Sequence, residues 1–311
     1  MSTPSFLTIC MNPTIQKTLE FSNLVIDNVN RTARRRMDVS GKGINVSRVL
    51  TQLGKTCLHL TQLGGILRPL FLDLCRQDGL GIEWVESGSP IRFCYTIINT
   101  SDHSVTELVE ESEPVMSGTE ERLKEASMKL LPYYEWLIIS GTKAEGFSDE
   151  LVPFIVRRAK EAGAHVILDV RSQDLKNSLA YKPDIIKPNL FEFAGTFAPD
   201  LITNNQLIHN PGDEVWIKKR IQKICLDLAE QYQCRVVLTR GMEPVWFAQS
   251  GTFAEYAFEP VSPVNTTGSG DAFTAGLAAA LSEGASFKEG IAQGIRCGRL
   301  NAGCFKVGVI Q

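Results

Sequence analysis

One acid in this chain stands where chemistry can be done. Asp271 closes the stretch "NTTGSGD", residues 265–271, behind Gly268, Ser269 and Gly270 and ahead of the small, apolar run "AFTAGLAAAL". A glycine turn running into a helix leaves backbone N–H groups unpaired at the positive end of the helix dipole, which makes an anion site. The two glycines let a ligand approach that backbone closely. On local grounds alone, Asp271 is an acid that complements the dipole in the first helical turn. Taken with the glycines, it is an acid beside an anion cradle.

Three further stretches carry usable chemistry. In "SGKGIN", residues 40–45, Gly41 and Gly43 flank Lys42, and a helical text containing Asn45 follows. That pattern fits a second backbone site for a polyhydroxylated or phosphorylated ligand, and equally a flexible turn with a solvated lysine. In "KPNLFE", residues 187–192, Asn189 and Glu192 can orient nucleotide phosphates or a magnesium ion held through its waters. Glu192 also reads as an early-helix acid. Among the basic residues Arg31, Arg34, Arg35, Arg36 and Arg92, the run is a solvated strand edge. Arg92 stands alone in the apolar "SPIRFCYT", as a guanidinium aimed at a phosphate would. Two look-alikes drop out. "GSGDAF" has Phe273 where a dinucleotide fingerprint needs its third glycine, and "LGKT" (53–56) has Val49 where a phosphate loop needs its first.

The elements that must position these groups are short apolar runs separated by helical text. "FLTIC" (6–10), "EWLIIS" (135–140), "HVILDV" (165–170), "DIIKPN" (184–189) and "RVVLTR" (235–240) are nearly continuous rather than alternating. Strands buried on both faces of a parallel sheet read this way. Between them, "SDELVPFIVRRAKEAGA" offers Ser148 and Asp149 as caps and ends at Gly163. "DEVWIKKRIQKICLDLAEQY" sets Trp216, Ile217, Ile221, Ile224 and Leu228 on one stripe. The alternation predicts a doubly wound α/β fold with a mostly parallel sheet flanked by helices, one domain over 1–311. Each strand ends in polar residues: Asn12, Ser140, Asp169, Lys187 with Asn189, and Thr239 with Arg240. The ligand crevice of such sheets lies outside the carboxyl ends of the strands, so these residues converge. Roughly 14–40 and 90–111 break the rhythm with strand-like text and predict a small antiparallel β sheet. Such a sheet is marginal alone and packs on a ligand or partner. Residues 195–213, rich in Asn, Pro and Gly, read as a long loop.

Composition narrows the classes. The 311 residues are 43% hydrophobic and 22% charged, with a net charge of −3. A nucleic-acid partner calls for a basic chain, so any anion site here is local. The eight cysteines form no CxxC pair and the four histidines no HExxH, against structural zinc or iron–sulfur. Buried, reduced thiols of a cytoplasmic protein are the expectation. No run approaches the roughly 18 apolar residues of a membrane helix.

In their order, "MNPTIQKT", "SGKGINVSRVLTQLG", "SPIRF", "IISGT", "IIKPNLFEF" and "NTTGSGD" resemble the phosphofructokinase B family of ribokinase-like sugar kinases. The likeness runs over essentially the whole chain and is strongest to the 1-phosphofructokinase and tagatose-6-phosphate kinase branch. It implies that Asp271 is the base that takes the proton of the attacking hydroxyl, with Gly268, Ser269 and Gly270 as its anion hole. It implies nucleotide and magnesium contacts at Lys187, Asn189 and Glu192, with the metal held through water, and a nucleotide site reaching Thr239 and Gly241. Sugar contacts follow at Asn12, Gln16, Gly41, Lys42, Gly43, Asn45 and Ser140, and a phosphate contact at Arg92. ATP and Mg2+ are the implied cofactors, with K+ left open. The small sheet resembles the family's lid, often also its homodimer contact. Departures sit at the substrate end. Gln16 stands where the family usually has Asp, Ser40 replaces a usual glycine, and Lys143 and Glu145 enter "SGTKAEG". Pro244 and Asn265 also depart from the pattern. An amide both donates and accepts, so Gln16 changes the hydroxyl pattern favoured. The expected activity is phosphorylation of a sugar phosphate. An unphosphorylated sugar, polyol or nucleoside as acceptor is the rival within enzymes, and a sugar- or nucleotide-binding sensor is the rival of another class.

Overall fold

A computed structural model describes residues 5–204, 206–207 and 213–311. The five apolar runs form strands β1 (Ser5–Cys10), β8 (Trp136–Ser140), β9 (His165–Asp169), β10 (Ile185–Ile186) and β13 (Arg235–Arg240). They lie side by side in the order β13-β10-β9-β8-β1, every pair parallel. Beyond β1 the sheet continues, parallel, through β4 (Thr56–Leu63) and β5 (Gly81–Glu86). Beyond β13 it turns antiparallel through β14 (Glu243–Gln249) and β15 (Thr252–Tyr256).

Helices cover both faces. On one lie α1 (Lys42–Gln52), α8 (Ser269–Ser282) and α9 (Phe287–Ala302). On the other lie α3 (Thr119–Leu130), α4 (Leu151–Glu161), α5 (Ser172–Ser178), α6 (Leu190–Phe197) and α7 (Asp213–Tyr232). In β1, Phe6 packs in the cluster with Val46 and Ala272, while Leu7 and Ile9 join the cluster with Val152 and Ile155. Alternate residues thus bury on opposite faces, which is why the strand reads as unbroken apolar text.

A separate four-stranded sheet has the order β3-β2-β6-β7: β2 (Thr14–Phe21), β3 (Arg35–Ser40), β6 (Arg92–Asn99) and β7 (Ser104–Val109). It is not wholly antiparallel as expected, because the central pair β2–β6 is parallel. The reason is topological. β2 follows β1 and β6 follows β5, so both leave the same end of the main sheet in the same direction, and β3 and β7 return antiparallel beside them. Below this sheet, α2 (Arg68–Gln77) contributes Phe71 and Cys75 to a third cluster with Ile15, Val39 and Ile44.

Local expectations differ in three further places. The cap of α4 is Glu150, not Ser148 or Asp149; it makes no side-chain cap bond, and Ser148 Oγ accepts only from Glu150 N, at 3.3 Å, one residue before the helix. Trp216 is half exposed, and Cys225 takes the buried place in the α7 stripe. Within 195–213, α6 runs to Phe197 and a short hairpin pairs β11 (Ile202–Thr203) with β12 (Gln206–Leu207). Residues 205 and 208–212 of that stretch lie outside the described residues. The eight cysteines are free thiols, six of them buried. Among the described residues, no helix is long and apolar enough to cross a membrane.

Candidate active site

Strand order reverses between β1 and β8: β4 and β5 extend from one side of β1, β8 to β13 from the other. A crevice opens at such a switch point, beyond the carboxyl ends of the strands. Here it is a cavity of about 700 Å³ whose lining includes Asn12, Gly41, Gly141, Asp169, Lys187, Asn189, Thr239 and Asp271.

Four helices begin at this cavity, α5 from Arg171, and the starts of the other three differ. α6 is closed by a capping box: Asn189 Oδ1 accepts from Glu192 N at 2.8 Å, and Glu192 Oε2 accepts from Asn189 N at 3.0 Å. α1 and α8 have glycine N-caps, Gly41 and Gly268, and no side-chain cap. Apart from Ser269 N, which donates to Thr266 O at 3.2 Å, the first-turn N–H groups of α8 are orphan donors of the kind an anion satisfies. Gly268 holds φ +80°, and a Cβ there would lie 2.5 Å from Val307 Cγ1, so no other residue fits this turn.

Asp271, in the first turn of α8, is 5% exposed. Its Oδ2 accepts from Asn45 Nδ2 at 2.8 Å, and Arg48 Nη1 holds Asn45 Oδ1 at 3.0 Å. Burial, reinforced by the Asp169 charge, raises its pKa to about 7, while Lys42, Asn45 and Lys187 pull the other way. A carboxyl tuned near neutral pH is suited to taking a proton.

Lysines and acids interlock beside it. Lys187, 2% exposed, pairs with Asp169 Oδ2 at 3.2 Å. Lys42 Nζ reaches Glu192 Oε1 at 2.9 Å and Asp169 Oδ1 at 3.5 Å. Burial opposes the Lys42 charge, but Asp169, Glu192 and Asp271 outweigh it and hold its pKa above the usual lysine value. Burial also opposes the Asp169 charge, and Lys187 and Lys42 more than offset it, so its pKa is lowered. The lining charges balance, with Lys42, Arg92, Lys143, Arg171 and Lys187 against Glu107, Glu111, Asp169, Glu192 and Asp271.

The small sheet supplies the other wall. Gln16 Nε2 donates to Thr96 Oγ1 at 2.8 Å, and Asn12 Nδ2 donates to Thr142 Oγ1 at 3.3 Å while Asn12 Oδ1 is buried without a partner. Arg92 donates from Nη1 to Glu110 O at 2.8 Å and keeps a buried Nε without a partner. A second cavity of about 280 Å³ shares Asn189, Thr239 and Gly270 with the first. Its lining adds Gly241, Met242, Val245, Phe258 and Phe273, an apolar slot suited to a flat ring.

This arrangement has relatives. Residues 6–309 match the model of the pfkB family carbohydrate kinases. The chain belongs to that family. It is similar to a tagatose-6-phosphate kinase of Staphylococcus epidermidis, 26% identical over 298 residues that cover 95% of this chain and 91% of the relative. The fold matches phosphofructokinase-2 from Escherichia coli in complex with potassium, with TM-score 0.82, 19% identity, and 97% and 94% of the two chains covered. Ribokinase from Thermotoga maritima aligns with TM-score 0.70 at 17% identity, over 99% and 95% of the chains. The chain is therefore a carbohydrate kinase of ribokinase-like fold.

Within this family member, several expected site residues sit elsewhere or are already engaged. Gly43 does not line the cavity. A Cβ on it would meet Cys10 Cβ at 2.9 Å and His59 Cε1 at 3.0 Å, so it serves the packing of α1 on β1 and β4. Ser140 is buried, outside the lining, with an unpartnered Oγ. Arg31 is exposed and outside the lining, and Arg240 stacks on Trp246 at 3.9 Å. Lys42 lines the cavity and is at the same time paired with two acids. Asp169, expected at the crevice as a strand-end acid, lies there, and what the sequence did not show is its pairing with Lys42 and Lys187. What hid that pairing is that the two lysines lie at separations only the fold can close.

Proposed function

We propose that this carbohydrate kinase transfers the γ-phosphoryl group of ATP to a hydroxyl of a small sugar phosphate, of the 1-phosphofructokinase or tagatose-6-phosphate kinase type. The observation that carries the reading is Asp271, buried with a pKa of about 7, beside the uncapped N-terminus of α8. Asp271 takes the proton of the attacking hydroxyl, and Asn45 fixes the orientation of its carboxylate. Of the cradle of Gly268, Ser269, Gly270 and Asp271, the N–H groups other than that of Ser269, which holds Thr266 O, receive the charge of the moving phosphoryl group. Lys187, packed beside Gly270, neutralises the phosphates, and the base stacks in the slot around Gly241 and Phe258. Phosphoryl transfer leaves little covalent work to the protein, so placement and charge carry the catalysis.

Magnesium fits as an outer-sphere guest. Glu192 spends one oxygen on the capping box and the other on Lys42, and no cluster of three His, Cys, Asp or Glu able to hold a metal exists among the described residues. Asn189 and Glu192 would therefore meet the ion through its waters. When bound, it neutralises phosphate charge.

Arg92, a cation in the cavity wall made by the small sheet, supports a phosphorylated acceptor. Glu107 and Glu111 in the same wall favour the rival reading, an unphosphorylated sugar, polyol or nucleoside. The small sheet acts as a lid, and exposed Leu108 on β7, with Val25, Ile26 and Val29 in the loop between β2 and β3, supports a homodimer made through it. A panel of sugars, polyols, nucleosides and sugar phosphates, run with ATP and magnesium and scored by ADP release, tests the assignment. Turnover confined to sugar phosphates upholds it, turnover confined to unphosphorylated acceptors supports the rival, and none at all with measurable ligand binding leaves a sensor. Running the panel with and without potassium decides that cofactor.

A further inference from the structure

We propose that Thr267 and Glu107 form a latch that ties the small sheet to the backbone cradle of α8, so that the cradle is set when the sheet lies over the cavity. The proposal rests on the kinase reading above, with the small sheet as lid.

Thr267 immediately precedes Gly268, the N-cap of α8. Its backbone is held from below: its N–H donates to Asn265 Oδ1 at 3.0 Å, and its carbonyl accepts from Asn301 Nδ2 at 2.9 Å. Its hydroxyl points the other way, to the small sheet. It donates to Glu107 Oε1 on β7 at 2.7 Å and lies 3.4 Å from Thr96 Oγ1 on β6. Thr96 in turn accepts from Gln16 Nε2 on β2. Two strands of the sheet thus meet on one hydroxyl at the edge of the cradle, and a third reaches it through Thr96.

The polarity of this chain is fixed. A carboxylate only accepts, so Glu107 draws the Thr267 proton, which leaves Thr267 Oγ1 to accept from Thr96 and Thr96 to accept from the amide of Gln16. A carboxylate at position 16 could not donate to Thr96 and start the chain, whereas the glutamine there can. The two ends differ in strength. Gln16 and Thr96 are buried, while Glu107 is exposed. A hydrogen bond at an exposed carboxylate competes with water and stabilises little, so this end opens and closes readily. The Thr96–Thr267 distance is long for two hydroxyls, which leaves Glu107 as the main tie. Thr267 and Glu107 are positioning residues, acting through the cradle.

The test compares Glu107→Ala, Glu107→Gln, Thr267→Val, Thr267→Ser and the Ala/Val double variant. The latch predicts that Glu107→Ala and Thr267→Val each lower kcat about three- to tenfold, with ATP affinity changed less than about twofold, as loss of one positioning bond implies. Glu107→Gln and Thr267→Ser, which keep acceptor and donor, stay near wild type. The double variant is no worse than either single, because both remove one link. Amide exchange at residues 266–271 is faster in Glu107→Ala by a similar factor. A Gln variant as impaired as the Ala variant, multiplicative losses in the double, or unchanged exchange each overturn the latch. The exchange measurement needs no turnover. A wild-type chain inactive on every acceptor overturns the kinase reading, and exchange alone then decides the latch.

Discussion

Replacing Asp271 by Asn should do two opposite things, and the structure gives the size of each. Asn keeps the volume of the side chain and can still accept from Asn45, but it carries no charge and takes no proton. The carboxyl of Asp271 is raised from the ordinary 3.8 to about 7, chiefly by burial. The sign follows from the order of ionisation. Below about pH 4 the group is protonated in the folded and the unfolded chain alike. Between about pH 4 and 7 the unfolded chain releases its proton first, so stability falls as pH rises, and above about pH 7 the loss is complete. At ~1.4 kcal/mol for each unit between the two pKa values, ionised Asp271 costs the fold up to about 4 kcal/mol. Asp271→Asn removes that cost, so the variant should unfold at higher denaturant than wild type at pH 8, by ~2–4 kcal/mol, and the gap should close by pH 4. A general base is worth ~10²–10⁴ in rate, so turnover should fall by that factor while ATP affinity is kept. Urea titrations at pH 4, 6 and 8, paired with kcat at pH 8, make the measurement. A variant that loses activity without gaining stability at pH 8 would refute the burial argument. One that keeps near-normal turnover would refute the base.

Three further outcomes follow from the same geometry. Lys42→Met deletes a charge that lowers the pKa of Asp271, so the pH at which kcat/KM rises should move upward; an unmoved profile would disconnect Lys42 from the base. Arg92→Ala should raise KM for a phosphorylated sugar by roughly ten- to a hundredfold, as loss of a charge-assisted bond implies, and KM for ATP by less than about twofold. Equal effects on both substrates would move Arg92 out of the acceptor end. Gly43→Ala should destabilise by ~1–3 kcal/mol, because the new methyl also meets Ile9 O at 3.1 Å, a backbone atom that cannot turn aside. A larger effect on the sugar KM than on stability would return Gly43 to the binding site.

What was legible in the sequence was whatever depends on near neighbours. The five core strands are each buried on both faces, and that constraint writes itself as unbroken apolar text. Their polar ends, Asn12, Asp169, Lys187 and Thr239 among them, could be gathered to one crevice from topology alone. The strands β5 and β15 escaped notice because they are the two edges of the sheet, with one flank unpaired and burial less uniform, while β4 and β14 beside them are paired on both flanks but start in exposed residues. "GIEWVE" buries only Val85 fully, and "TFAEY" buries none of its residues. The parallel pairing of β2 with β6 depends on the direction in which two distant strands leave the main sheet, which no local window contains.

The same distinction separates the site residues. Asn189 and Glu192 look equally like ligands and like a helix cap in sequence, and the structure shows the cap formed with Glu192 also holding Lys42, 150 residues away. One carboxylate thus fastens α6 to the start of α1, and Asp169 fastens both lysines to β9. Lys42, Asp169, Lys187 and Glu192 are therefore a scaffold of paired charges before any phosphate arrives. Asp271 is the exception among the acids: it has an amide for a partner and no lysine in direct contact. Unlike Asp169 and Glu192, it forms no ion pair among the described residues, and Lys42 and Lys187 only partly offset its burial. That imbalance, set by side chains from four different elements, makes an acid that reads locally as a helix-start residue into the group able to exchange a proton near neutral pH.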